Sequence, residues 1–206
     1  MVSYGLVDDD YGMRLRAIAD QADGPVYMLS LTRFRSGSGQ LPGRSSSLDP
    51  DSRYIPVPLL SAVGASLCFV ADVVAGSGGW DRLGVIRYPT RRAFLELGDR
   101  SDTKAWNARK EERAERMIML GMIPGGSLPA AQSQRVLVEI WHGAAPEKMA
   151  SGTATEFLVE GTFLGDGRRW SGARYTVIDP GTALPLEPAR FGYLAVLVEP
   201  VIERWS

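Results

Sequence analysis

The chain of 206 residues has one cysteine, one histidine, three lysines, no excess of either charge and no long apolar run. Each shortage removes a class of protein. Cys68 has no second cysteine to meet, so no internal disulfide forms. It lies in the apolar stretch Leu67 to Val70, which suits a small buried thiol better than a nucleophile. With His142 as the only imidazole, a zinc or haem centre would lack nitrogen and sulfur ligands. The carboxylates show no EF-hand spacing, so neither a metal nor a cofactor is expected. Lys and Arg total 23 against 24 Asp and Glu, which gives no field to hold nucleic acid or an anionic membrane. No apolar run approaches the roughly 20 residues of a membrane span. The first ten residues lack the basic and then apolar pattern of a signal peptide, and a cytoplasmic protein is the expectation. Gly76-Ser77-Gly78-Gly79 is followed by no Gly-Lys-Ser/Thr and reads as a turn, not a phosphate loop.

What is present is clear punctuation. Leu83, Val85 and Arg87 alternate with Gly84, Ile86 and Tyr88 about an apolar middle, and Pro89 withholds the next backbone donor, so a strand ends near Tyr88. Thr90 offers an N-cap to a short helix from Arg91 to Gly98, with Phe94 and Leu97 at helical spacing. From Lys104 good helix formers follow, with Glu112 four residues before Arg116. The run Met117 to Ile123 is continuously apolar and ends in Pro124-Gly125-Gly126, as a buried strand would. Upstream, Asp10 to Ala22 is amphipathic with helical period and leads into a strand at Pro25 to Arg35. The segment Ser36 to Ser52, rich in Ser, Gly, Asp and Pro, reads as a loop or as a lid. Tyr54 to Val63 follows as a helix stunted by Pro56 and Pro58, and Gly64 to Val74 as a strand.

Two of these stretches, Gly24-Pro25-Val26-Tyr27-Met28-Leu29-Ser30-Leu31-Thr32-Arg33-Phe34-Arg35 and Trp80-Asp81 through Tyr88-Pro89-Thr90-Arg91-Arg92-Ala93-Phe94, resemble the family called domain of unknown function 1330. The resemblance covers roughly residues 8 to 126. It implies the dimeric α/β barrel superfamily: an α+β fold with a ferredoxin-like βαββαβ unit, whose sheet pairs with a second sheet around a small cavity. Where the family often carries Asn in its first strand, this chain has Ser30. No settled activity follows from the family.

Residues 135 to 206 form a second, strand-rich region. Val136 to His142, Phe157 to Leu164, Trp170 to Asp179 and Tyr193 to Val201 each read as strands, the middle two joined by a Gly165-Asp166-Gly167 turn. Their order suggests a degenerate second ferredoxin-like repeat. It would serve as an intrachain pseudo-dimer partner to residues 1 to 126, or as a sheet extension of an ordinary homodimer.

The triplet Leu-Val-Glu recurs at 137–139, 158–160 and 197–199. Alternation places Val136, Val138 and Ile140 on a purely apolar face, and Glu139, Glu160, Glu199 and Trp141 on a mixed one. If the mixed face lines a cavity, the three carboxylates and the indole meet a ligand; otherwise it is the solvent face, with arginines as ion-pair partners. On the first reading, His142 and Glu160 are the catalytic candidates, and Ser30, Arg87, Glu139, Trp141 and Glu199 the ligand-binding ones. The expected function is binding of a small apolar or mixed-polarity molecule between two sheets. The alternative is a cofactor-independent oxygenase, isomerase or cyclase acting on a small hydrophobic metabolite.

Overall fold

Strand β2 (Val26–Phe34) shows how local pattern becomes architecture: Tyr27, Leu29 and Leu31 face one way and Val26 and Met28 the other, and both sets are buried. A sheet with two apolar faces needs a cover on each. The computed structural model describes residues 5–35, 57–129, 134–179, 182, 184, 186 and 192–205. The loop or lid expected at Ser36 to Ser52 lies outside the described residues. Besides β2, the first part of the chain forms β1 (Leu6–Val7), α1 (Asp9–Ala17), α2 (Val57–Ser61), β3 (Ser66–Gly76), β4 (Arg82–Tyr88), α3 (Arg91–Asp99), α4 (Ser101–Arg113) and β5 (Ala114–Pro124). The second part forms β6 (Val136–Trp141), β7 (Ala154–Gly165), β8 (Gly172–Val177) and β9 (Tyr193–Glu203). Helix starts are capped as the side chains dictate: Asp8 accepts from the Tyr11 N–H and Thr90 from the Ala93 N–H, each at 3.1 Å.

The strands pair antiparallel in the order β7-β5-β2-β4-β3-β9-β6-β8, and β8 returns to β7. The sheet is therefore a closed eight-stranded barrel, to which β1 adds a two-residue ladder on the end of β7. This corrects the expected α+β fold with a ferredoxin-like unit of the dimeric α/β barrel type. Of the described residues 45% are in strands and 22% in helices, and one hydrogen-bonded cycle replaces a layered unit followed by a separate repeat. The physical reason lies at the seams, β5 with β7 and β3 with β9, where edges that would have stayed free are consumed by the other half.

The two halves repeat one another in register. Leu29 and Leu31 oppose Val85 and Leu83 on β4, and Leu120 and Ile118 on β5. Val138 and Ile140 likewise oppose Tyr175 and Ala173 on β8, and Val196 and Leu194 on β9. One step further, Arg87 opposite Tyr27 corresponds to Val177 opposite Val136. Strands β2 and β6 stand four steps apart in an alternating cycle, so they run the same way and corresponding residues reach the same barrel end.

Eight strands enclose a space that side chains can fill. Here they fill it with one continuous cluster running from Trp80 and Trp170 at one end to Tyr27, Phe69, Phe157, Tyr175 and Trp205 at the other. Outside the first half, Leu60 and Val63 after β2 and Ala93 and Leu97 of α3 cover Val26, Met28 and Tyr88. Outside the second half, Ala150, Ile178, Leu184 and Leu186 close over Leu137 and Ala195. No helix among the described residues is long and apolar enough to cross a membrane.

Candidate functional site

The mixed face proposed as a cavity lining is the outer face of the barrel, and the pure Val and Ile face is the inner one. The three glutamates therefore point away from the interior and into three separate settings. Glu139 is fully buried under the segment after β6, bonded by Arg174 at 3.2 Å and by the Tyr193 hydroxyl at 2.8 Å. Arg174 also donates to Glu156 and to the Pro146 carbonyl, and lies 5.1 Å from the centre of the Trp141 ring. Glu139 and Trp141 thus meet, in a network that fastens the segment around Pro146 and Met149 to the barrel. Glu199 forms an exposed ion pair with Arg135 at 2.6 Å.

Glu160 is held by Arg91 through two nitrogens, at 2.9 and 2.7 Å, and accepts from the Tyr11 hydroxyl at 2.7 Å. Burial, then the bond to Glu160, pushes the Tyr11 phenol far above its usual range, and the same carboxylate raises Arg91. This closed set fastens α1 to the barrel, its ring lying against the bare Cα atoms of Gly121 and Gly161. His142 is exposed at the end of β6, its backbone N–H donating to Gly192 O at 2.8 Å. The two expected catalytic groups do not meet. Ser30 faces outward with its hydroxyl on the Gly84 carbonyl at 3.4 Å.

Of the expected residues that lie within strands, Arg87 has inward parity, following Leu83 and Val85 on β4. It reaches the barrel end where the chain after β9 turns in. There the Arg204 N–H donates to Cys68 O at 2.6 Å and drops the Trp205 indole into the mouth, 7% exposed. The indole stacks on Phe69 at 5.4 Å and 27°, meets Tyr175 edge-on at 5.4 Å, and lies 6.0 Å from Phe157. Beside it a crevice lined by Phe69, Val136, Tyr175, Val177, Glu203 and Trp205 leaves about 10 Å³ open to the centre of a water molecule, room for one.

Two buried donors in this aromatic box have no acceptor among the described residues: the Tyr175 hydroxyl and the Trp205 indole N–H. Such groups cost free energy unless something answers them. Burial, with Cys68 nearby, lifts the Tyr175 pKa well above 10, so the hydroxyl stays a neutral donor at ordinary pH. Burial likewise raises the Cys68 thiol, against opposing contributions from Arg87 and Ser66. Sequence reading missed Tyr175 and Trp205. Inward parity beside Ala173 marks Tyr175, but nothing local shows that its hydroxyl lacks a partner. Trp205 lies beyond its strand, where alternation gives no direction.

These features define an eight-stranded antiparallel barrel with an aromatic, donor-bearing mouth. No protein-family profile matches the chain, and no curated protein matches it. Among solved structures it is similar to two of the RPA0582 protein, one methylated and the other described as a protein of unknown function from Rhodopseudomonas palustris. Both are 20% identical to it; the TM-scores are 0.44 and 0.43, over 58% and 57% of this chain and 94% and 95% of theirs.

Proposed function

We propose that the protein binds a small, flat, largely apolar molecule at the barrel mouth beside or in place of Trp205. The observation that carries this reading is the pair of buried, unanswered donors, Tyr175 Oη and Trp205 Nε1, set in walls that are otherwise aromatic. A ring with one acceptor supplies what the walls favour and what the Tyr175 hydroxyl lacks, and the Trp205 N–H meets water once the indole leaves. Because the crevice holds about one water, such a ligand must displace the indole. Re-exposing roughly 200 Å² of indole at 25 cal/mol/Å² costs about 5 kcal/mol as an upper bound, so affinities of small fragments fall in the millimolar range. For the enzyme alternative, Glu160 is engaged by Arg91 and Tyr11, and His142 is exposed just past β6.

The test is a titration of the full chain with benzoate, benzamide and indole, followed by tryptophan emission and calorimetry. Binding is expected, with a red shift as Trp205 leaves its box. In Tyr175→Phe, which keeps the ring, binding is weakened about 3- to 10-fold, the loss of one neutral hydrogen bond. No binding at 10 mM of any of the three, or binding indifferent to Tyr175→Phe, overturns the reading.

A further inference from the structure

The mouth carries one more feature, and it bears on ligand class. Arg87 points inward at the same level as Val177, which lines the crevice on the corresponding strand of the other half. Its backbone N–H bonds to the Cys68 thiol, and its charge is close enough to that thiol to be felt there. Cys68 in turn neighbours Tyr175. Arg87 is half-buried and has no carboxylate at ion-pair distance among the described residues, whereas Arg82, Arg91 and Arg174 at other strand and helix positions each have one. A half-buried cation with no carboxylate partner among the described residues, at the barrel end that holds the aromatic box, favours a ring that brings its own negative charge.

Resting on the binding reading above, we infer that the ligand is a planar aromatic monocarboxylate. Its ring takes the place of the Trp205 indole against Phe69, its carboxylate pairs with Arg87, and one oxygen accepts from the Tyr175 hydroxyl.

Three molecules of one shape separate the cases: benzoate, neutral benzamide and cationic benzamidine, titrated into the full chain at constant ionic strength. Benzoate is expected to bind about tenfold or more tightly than benzamide, and benzamidine weakest, as a charge-assisted pair requires. Arg87→Met, which keeps the apolar stem, is expected to abolish the benzoate advantage and leave benzamide within about twofold, while Arg87→Lys retains part of it. Unchanged unfolding midpoints for both variants place the effect in binding. Equal binding of benzoate and benzamide, or a benzoate advantage that survives in Arg87→Met, overturns the carboxylate inference and leaves the binding site standing. Failure of all three molecules to bind overturns the site itself.

Discussion

The contact between Tyr11 and the barrel wall gives a prediction whose sign reverses with background. A Cβ placed on Gly161 would lie 2.2, 2.4 and 2.6 Å from Cδ2, Cγ and Cε2 of the Tyr11 ring. That is roughly 1–2 Å short of the 3.5–4.0 Å at which carbon atoms attract. The ring cannot retreat freely, because its hydroxyl is tied to Glu160 at 2.7 Å and a Cβ on Gly121, on the facing strand, would reach that hydroxyl. Gly161→Ala therefore costs about 1–3 kcal/mol of overpacking. Loss of the Tyr11 to Glu160 bond adds about 0.5–1.5 kcal/mol if the ring is pushed out. A total near 2–4 kcal/mol is a large share of the roughly 5–15 kcal/mol that holds a domain folded. In a Tyr11→Ala background the obstacle is gone. Gly161 does not have a left-handed φ, so an alanine there is expected to be neutral or to stabilise by about 0.4–1 kcal/mol through the unfolded state. Urea unfolding of the four proteins of this cycle measures the coupling. If Gly161→Ala destabilises equally in both backgrounds, the glycine is required by the sheet and not by the Tyr11 ring, and the reasoning fails.

Arg174→Met leaves Glu139 buried without its cation and is expected to cost about 3–5 kcal/mol, whereas Arg174→Met with Glu139→Leu recovers most of that loss; a single-variant cost under 1 kcal/mol in urea melts would refute it. Stability should be at its full value below pH 10 and fall above it, because unfolded tyrosine ionises there while Tyr11, Tyr88 and Tyr175, their phenols raised chiefly by burial, remain protonated. The native state then holds more protons, giving a loss of up to about 1.4 kcal/mol per pH unit for each phenol; urea midpoints between pH 9 and 11.5 that are as steep in Tyr11→Phe as in the parent would contradict it. Tyr175→Phe, which deletes an unanswered buried hydroxyl, is expected to leave the thermal midpoint unchanged or raise it, while Tyr11→Phe, which breaks a bond, lowers it.

Strand and helix positions were legible where side chains alternate and stop signals are sharp. β2, β4 and α3 lie within a residue or two of expectation, because Pro89 and Thr90 mark their junction and Gly98 the end of the helix. The apolar parity of Val136, Val138 and Ile140 identified the core face of β6. Closure was not legible. It depends on β5 meeting β7 and β3 meeting β9, pairings between residues tens to more than a hundred positions apart that leave no local pattern. For the same reason the recurring glutamates misled: parity shows that they share a face, but which neighbour covers that face is decided by Arg91 in one case and Arg174 in another. At the mouth, inward parity was enough to place Arg87, whereas Trp205 arrives from beyond a strand end, held by a backbone bond to Cys68 that no side-chain pattern announces.

The seams also govern how this chain reaches its fold. Neither set of four strands closes by itself: each ends on two exposed ladders, and the complement of each ladder lies in the other half of the polypeptide. Until β9 finds β3 and β7 finds β5, a half-formed molecule presents four open edges with apolar inner faces, the kind of template that invites pairing with another chain. The same geometry makes the halves mutual chaperones. Each satisfies the other's edges in register, so the slowest event in folding is expected to be the long-range meeting of the seams, and not the formation of any single hairpin.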